Sequence, residues 1–109
     1  IYFTGGQVVK VYDVSNESWS KLQLLEQKFH VPAIISGNKI VFIGGMTSWF
    51  VYSTLIEIYD PLSNSWSYRY MDSDLYYEAL FSYNNYLYSA GGVINKENAS
   101  LSGICRVEL

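Results

Sequence analysis

Apolar residues in this chain come in short β-rich runs separated by turn chemistry, the pattern of many short strands rather than of helices. Ala33–Ser36 and Lys39–Gly45 flank Gly37-Asn38, which reads as a tight hairpin turn. Leu55–Asp60 follows, then the turn sequence Pro61-Leu62-Ser63-Asn64. Ser65–Met71 closes the unit, with Trp66, Tyr68 and Tyr70 recurring at every second position. The pattern predicts four antiparallel strands. Incomplete copies lie on either side. Ile1–Thr4, Val8–Val14 and Ser18–Gln23 predict the second to fourth strands of an earlier unit, and Glu78–Tyr83, Tyr86–Ala90 and Ile104–Leu109 the first to third strands of a later one. Leu22, Leu25 and Phe29 fall at helical spacing, but the equivalent stretch 68–77 has no such stripe and contains Asp72-Ser73-Asp74. Both stretches are therefore read as strand followed by loop.

The copies keep a fixed distance. Tyr12-Asp13 returns as Tyr59-Asp60, Trp19 as Trp66, and Gly44-Gly45 as Gly91-Gly92, each 47 positions on, and a further pair stands at Gly5-Gly6. A period of this size marks a repeat architecture. Glycine pairs at strand ends allow positive φ and close backbone approach; no GxGxxG or GKS/T accompanies them, so phosphate cradling is not indicated. Asp13 and Asp60 each lead into a hairpin, where a short carboxylate bonds the backbone two residues on. Trp19 and Trp66 are expected to be buried anchors. An indole removes about 150–250 Å² from water, or at most about 4–6 kcal/mol, so Trp66→Ala is expected to unfold its unit. These residues carry fold.

The 109 residues suffice for one small domain. Half of them are apolar and the net charge is −3, with only seven Lys and Arg, all scattered, so nucleic acid is not expected as a partner. No apolar run approaches the roughly 20 residues of a membrane helix. Cys105 is the only cysteine, which excludes an intrachain disulfide and fits a reducing, cytoplasmic setting. Asn16-Glu17-Ser18 and Asn98-Ala99-Ser100 match the N-glycosylation tripeptide, but no signal peptide is visible. The chain opens at Ile1 in mid-strand, as if cut from something longer. Abundant Tyr, Ser, Ile and Asn with scarce Ala, Arg and Pro fit an AT-rich genome.

Gly-Gly at a strand end, then Tyr, then Trp seven positions later, resembles the kelch repeat, and the resemblance covers essentially the whole chain. It implies an all-β fold, a segment of kelch-type β-propeller built from four-stranded antiparallel blades around a channel. Residues 1–23 would form a partial blade, 31–71 a complete one and 78–109 a second partial one. These amount to about two and a third blades, not a closed ring, so further blades are expected from a parent chain. The chain is most similar to the kelch half of BTB-kelch adaptors, and its Tyr- and Asn-rich, Arg-poor character is similar to poxviral kelch-like proteins. The resemblance implies a protein-interaction module that recruits a substrate protein to a cullin-based ubiquitin ligase. The alternatives it leaves are an actin-associated cytoskeletal protein, a kelch-fold enzyme whose catalytic residues lie in other blades, and a truncated gene remnant.

Kelch propellers bind through loops on one face, just after Gly-Gly and just before the first strand of a blade. In substrate-binding adaptors an Arg often stands fourteen positions before the glycine pair. Here those positions are His30 and Tyr77, with Phe29 and Tyr76 beside them, which implies a more aromatic, less charged protein partner; alternatively, the rings pack the channel wall. The second candidate is the stretch 46–53, where Met46, Trp49, Phe50, Val51 and Tyr52 have no counterpart in the first unit. It would be either a contact patch or an extension of the third strand packed on an adjoining blade.

Catalysis, cofactors and metals are not expected. One His and one Cys make neither a His/Cys metal cluster nor a convincing nucleophile pair. Asp72, Asp74, Glu78 and Glu97 read as solvated surface.

Overall fold

A computed structural model describes residues 1–49, 51–71, 75–94, 99–100 and 104–109, with side chains at all of these except 3–5, 75–78, 91–94, 99–100 and 104–105. The described residues contain no helix and thirteen strands. The first sheet joins β1 (Tyr2–Gly5), β2 (Val8–Asp13) and β3 (Ser18–Gln23) in sequence order. The middle sheet has the order β4 (Ala33–Ser36), β5 (Lys39–Ile43), β8 (Leu55–Asp60), β9 (Ser65–Tyr70). Between β5 and β8 the chain leaves the sheet to form a small hairpin, β6 (Met46–Ser48) with β7 (Val51–Tyr52). In the third sheet β10 (Leu75–Tyr83) pairs with β11 (Tyr86–Ile94), whose other edge carries β12 (Ala99–Ser100) and β13 (Ile104–Glu108). Every pairing is antiparallel.

The Tyr-to-Trp spacing becomes a cross-strand pair over a four-residue turn. Tyr12 lies opposite Trp19 and Tyr59 opposite Trp66, with ring centroids 4.9 and 5.1 Å apart. The aspartates act within these turns as their position requires. Asp13 Oδ1 accepts from the Ser15 amide at 2.9 Å, and Asp60 Oδ1 from the Leu62 amide at 3.0 Å. Glu17 and Asn64 complete the turns with φ of 54° and 51°.

The sheets stack face to face, so that alternate residues of the middle sheet point into two different cores. Ile40, Phe42 and Tyr59 pack with Val9 and Leu24 against the first sheet. Val41, Ile43, Ile56 and Ile58 pack with Leu87 and Leu109 against the third. A strand buried on both faces is apolar at most positions, as in Lys39-Ile-Val-Phe-Ile and in Leu55-Ile-Glu-Ile-Tyr, where Glu57 is the one charged exception. Among the described residues the outer sheets are covered on one face only. The result is a row of blades open at both ends, not a closed barrel.

Several expectations change. Strand β5 ends at Ile43, before the glycine pair, where Gly44 and Gly45 adopt φ of 57° and 91°. Gly5 is the last residue of β1 and Gly6 opens the turn, whereas Gly91-Gly92 lie inside β11, because its ladder with β10 continues to Leu75↔Ile94. The indoles also differ from expectation. Trp66 is half-buried in the core between first and middle sheets. Trp19 is 62 % exposed, because no sheet covers the corresponding face of the first sheet. That open face carries a hollow of about 300 Å³ lined by Lys10, Trp19, Ser20 and Lys21.

Candidate partner-binding surface

Two stretches proposed separately from sequence meet in space. The connection from β3 to β4 runs through residues 24–32 and comes against the β6–β7 hairpin. Phe29 and Met46 form an isolated bridge, each amide donating to the other's carbonyl at 2.9 Å. Ser53 closes the hairpin's base by donating its amide to the Gly45 carbonyl at 2.8 Å.

Gly45 makes this approach possible. A Cβ at this position would stand 2.9 Å from Val31 Cγ2 and 3.1 Å from the Phe29 carbonyl oxygen, and the φ of +91° already disfavours any other residue. In the first sheet the Gly6-Gln7 turn leads directly from β1 into β2, with nothing within 4 Å of a Cβ on Gly6. The first sheet has no such excursion and no aromatic tip.

Phe29, His30 and Trp49 form a ring cluster on this platform. Phe29 meets His30 edge-on with centroids 5.8 Å apart and Trp49 at 6.3 Å. Trp49 is 80 % exposed and Phe29 37 %. His30 is exposed and held at φ of 54°, while Met46 is half-buried at the base. Leu25 and Val51 add exposed apolar surface. Trp49 therefore does not pack on an adjoining sheet of this chain, and 46–53 does not extend the third strand.

The other predicted residues are placed differently. Tyr76 and Tyr77 lie within β10 rather than ahead of a first strand, and the Tyr76↔Val93 pair repeats the Phe29–Met46 bridge 47 positions on. Phe50, Asp72, Asp74 and Glu97 lie outside the described residues. Among the described residues no group of three His, Cys, Asp or Glu could hold a metal ion, and no helix is long and apolar enough to cross a membrane.

Beneath the rings lies a polar cluster that sequence reasoning missed. Lys28 and Glu57 have fully buried side chains, with Nζ 3.0 Å from Oε2. Glu57 Oε1 accepts from the Leu25 amide, and Glu26 Oε2, 3.8 Å from Lys28 Nζ, accepts from Ser53 Oγ. The available signal was Glu57 itself, a carboxylate in the middle of an apolar strand, which demands a buried cation.

No family model matches the chain. Over 61 residues, 54 % of its length, it is 36 % identical to "Kelch-like protein 21" of Danio rerio, covering 10 % of that protein. Over 73 residues, 59 % of its length, it is 32 % identical to human "Kelch-like protein 38", covering 12 % of that protein. An alignment of 115 positions, spanning 94 % of the chain and 16 % of the relative, gives 27 % identity to the "Kelch domain-containing protein SSO1033" of Saccharolobus solfataricus. Together with the stacked antiparallel blades, these likenesses support the kelch-repeat family. The chain spans 10–16 % of the length of these curated relatives.

Proposed function

We propose that this chain is a segment of a kelch propeller that recognises a protein partner through the surface formed by Phe29, His30, Met46 and Trp49. In the parent protein this propeller recruits the partner, in the cytoplasm, to a cullin-based ubiquitin ligase. The observation that carries the reading is Trp49, an indole 80 % exposed yet held against Phe29 on a two-stranded hairpin. A large aromatic side chain, presented rather than buried, is what protein interfaces use as an anchor. Likeness to two kelch-like proteins supports the binding-module part of this reading. The absence of exposed Arg or Lys from the cluster favours a partner segment that is apolar and weakly charged.

Trp49→Ser tests the surface. The substitution should leave stability within about 0.5 kcal/mol, as for other exposed positions, and abolish partner capture by the parent protein. Undiminished capture would move the binding site elsewhere. The ligase assignment is tested apart from this, by whether the full-length parent co-purifies with a cullin.

A further inference from the structure

We infer that the buried Lys28–Glu57 pair, with Glu26 and Ser53, is a brace that positions the aromatic surface, so that Lys28 and Glu57 are positioning residues for binding. The inference rests on the reading of that surface as the binding site, and it adds a device that sets its geometry.

Glu57 sits on β8 in the centre of the middle sheet, opposite Phe42 on one side and Tyr68 on the other. Its two oxygens hold both ends of a short segment, Oε1 taking the Leu25 amide and Oε2 facing Lys28 Nζ. Phe29 and His30 follow immediately. Glu26, within the held segment, reaches outward to Ser53 Oγ at the base of the hairpin that carries Trp49. Ser53 Oγ in turn accepts from the Leu55 amide at 3.1 Å, which returns the network to β8. The segment below Phe29 and the hairpin below Trp49 are thus tied to one strand through a single polar cluster.

Stability alone does not account for such a pair. Two charges taken out of water lose most of what their attraction returns, and apolar replacements of similar size are often neutral or stabilising. Here the geometry is also incomplete, since neither Lys28 Nζ nor Glu57 Oε2 makes a well-angled hydrogen bond. What apolar side chains would not supply is direction. They would fill the space without fixing residues 25–28 against β8.

The double variant Lys28→Met with Glu57→Leu, made in the full chain, separates position from stability. Its thermal midpoint should stay within about 5 °C of the parent's. Amide exchange at Phe29 and Met46, whose amides bridge the two stretches, and at Ser53, whose amide closes the base of the hairpin, should accelerate by about tenfold or more while the β5–β8 ladder keeps its protection. In 5-fluorotryptophan-labelled protein the Trp49 resonance, assigned by its loss in Trp49→Phe, should shift or broaden. Unchanged exchange with an unmoved Trp49 line would overturn the inference, as would loss of protection spread evenly over the middle sheet. Should the double variant not fold, Glu26→Gln, at the half-exposed edge of the cluster, decides: faster exchange confined to the same three amides supports the brace, and none refutes it. None of these readouts needs the partner, so the brace can stand even if Trp49→Ser leaves capture intact.

Discussion

The first and middle sheets carry the same motif in different surroundings. Tyr12 and Trp19 repeat as Tyr59 and Trp66, with the same cross-strand pairing and nearly the same ring separation. Yet Tyr59 is buried and Tyr12 half-buried, and Trp66 is half-buried where Trp19 is 62 % exposed. The position two before each Tyr differs most: Glu57 is fully buried and Lys10 exposed. All three pairs lie on the face that the first sheet covers in the middle sheet and that no sheet covers in the first. The motif therefore shapes the hairpin locally, while its burial depends on the next blade, as expected of architectures in which each unit contacts only its neighbours.

The largest expected separation is at Glu57 and Lys10. Glu57→Ala leaves Lys28 buried without its counter-charge and should cost about 3–5 kcal/mol, whereas Lys10→Ala should stay within about 0.5 kcal/mol, both read by denaturant unfolding. Next come the indoles. Trp66→Ala should cost about 2–3 kcal/mol, less than full indole burial because the ring is half-exposed, and Trp19→Ala under about 1 kcal/mol. Equal costs would mean that the neighbouring sheet contributes nothing to the motif.

The glycines should differ in kind as well as in size. Gly6→Ala meets only the left-handed backbone, about 1–2 kcal/mol, and should leave the molecule otherwise unchanged. Gly45→Ala adds the contact with Val31 and the Phe29 carbonyl, so it should cost more and also weaken the Phe29–Met46 bridge, visible as faster exchange of those two amides. The smallest effect concerns the first hairpin. Hydrogen bonds from the Ser15 hydroxyl and amide hold the Asp13 carboxyl below its ordinary pKa. A depressed carboxylate pKa means that its small stabilisation is present above the ordinary value and is lost as pH falls through the lowered one. Ser15→Ala should move the Asp13 titration upward in an NMR pH series.

Apart from β6, β7 and β12, the strands and their order were legible because each rests on local chemistry. Gly37-Asn38 and Pro61–Asn64 mark turns, and short apolar runs between them leave little choice. Strand limits were less legible where partners set them: β11 runs through Gly91-Gly92 because β10 continues alongside. Phe29, His30, Met46 and Trp49 were each identifiable as rings or apolar residues in connecting segments. Their meeting was not, since it depends on a bridge between residues 17 positions apart. Lys28 was missed altogether, because a lone lysine in a polar stretch reads as solvated surface until Glu57 is seen to lack water.

Turns and alternation act over a few residues, so the period, the main hairpins and the strand order of the three sheets could be read from the chain alone. Packing between sheets set which copies of the motif are buried, joined two connecting segments into one surface, and placed a buried ion pair beneath it. Burial and desolvation depend on what packs against a residue, and a 47-residue repeat places identical motifs in unlike surroundings.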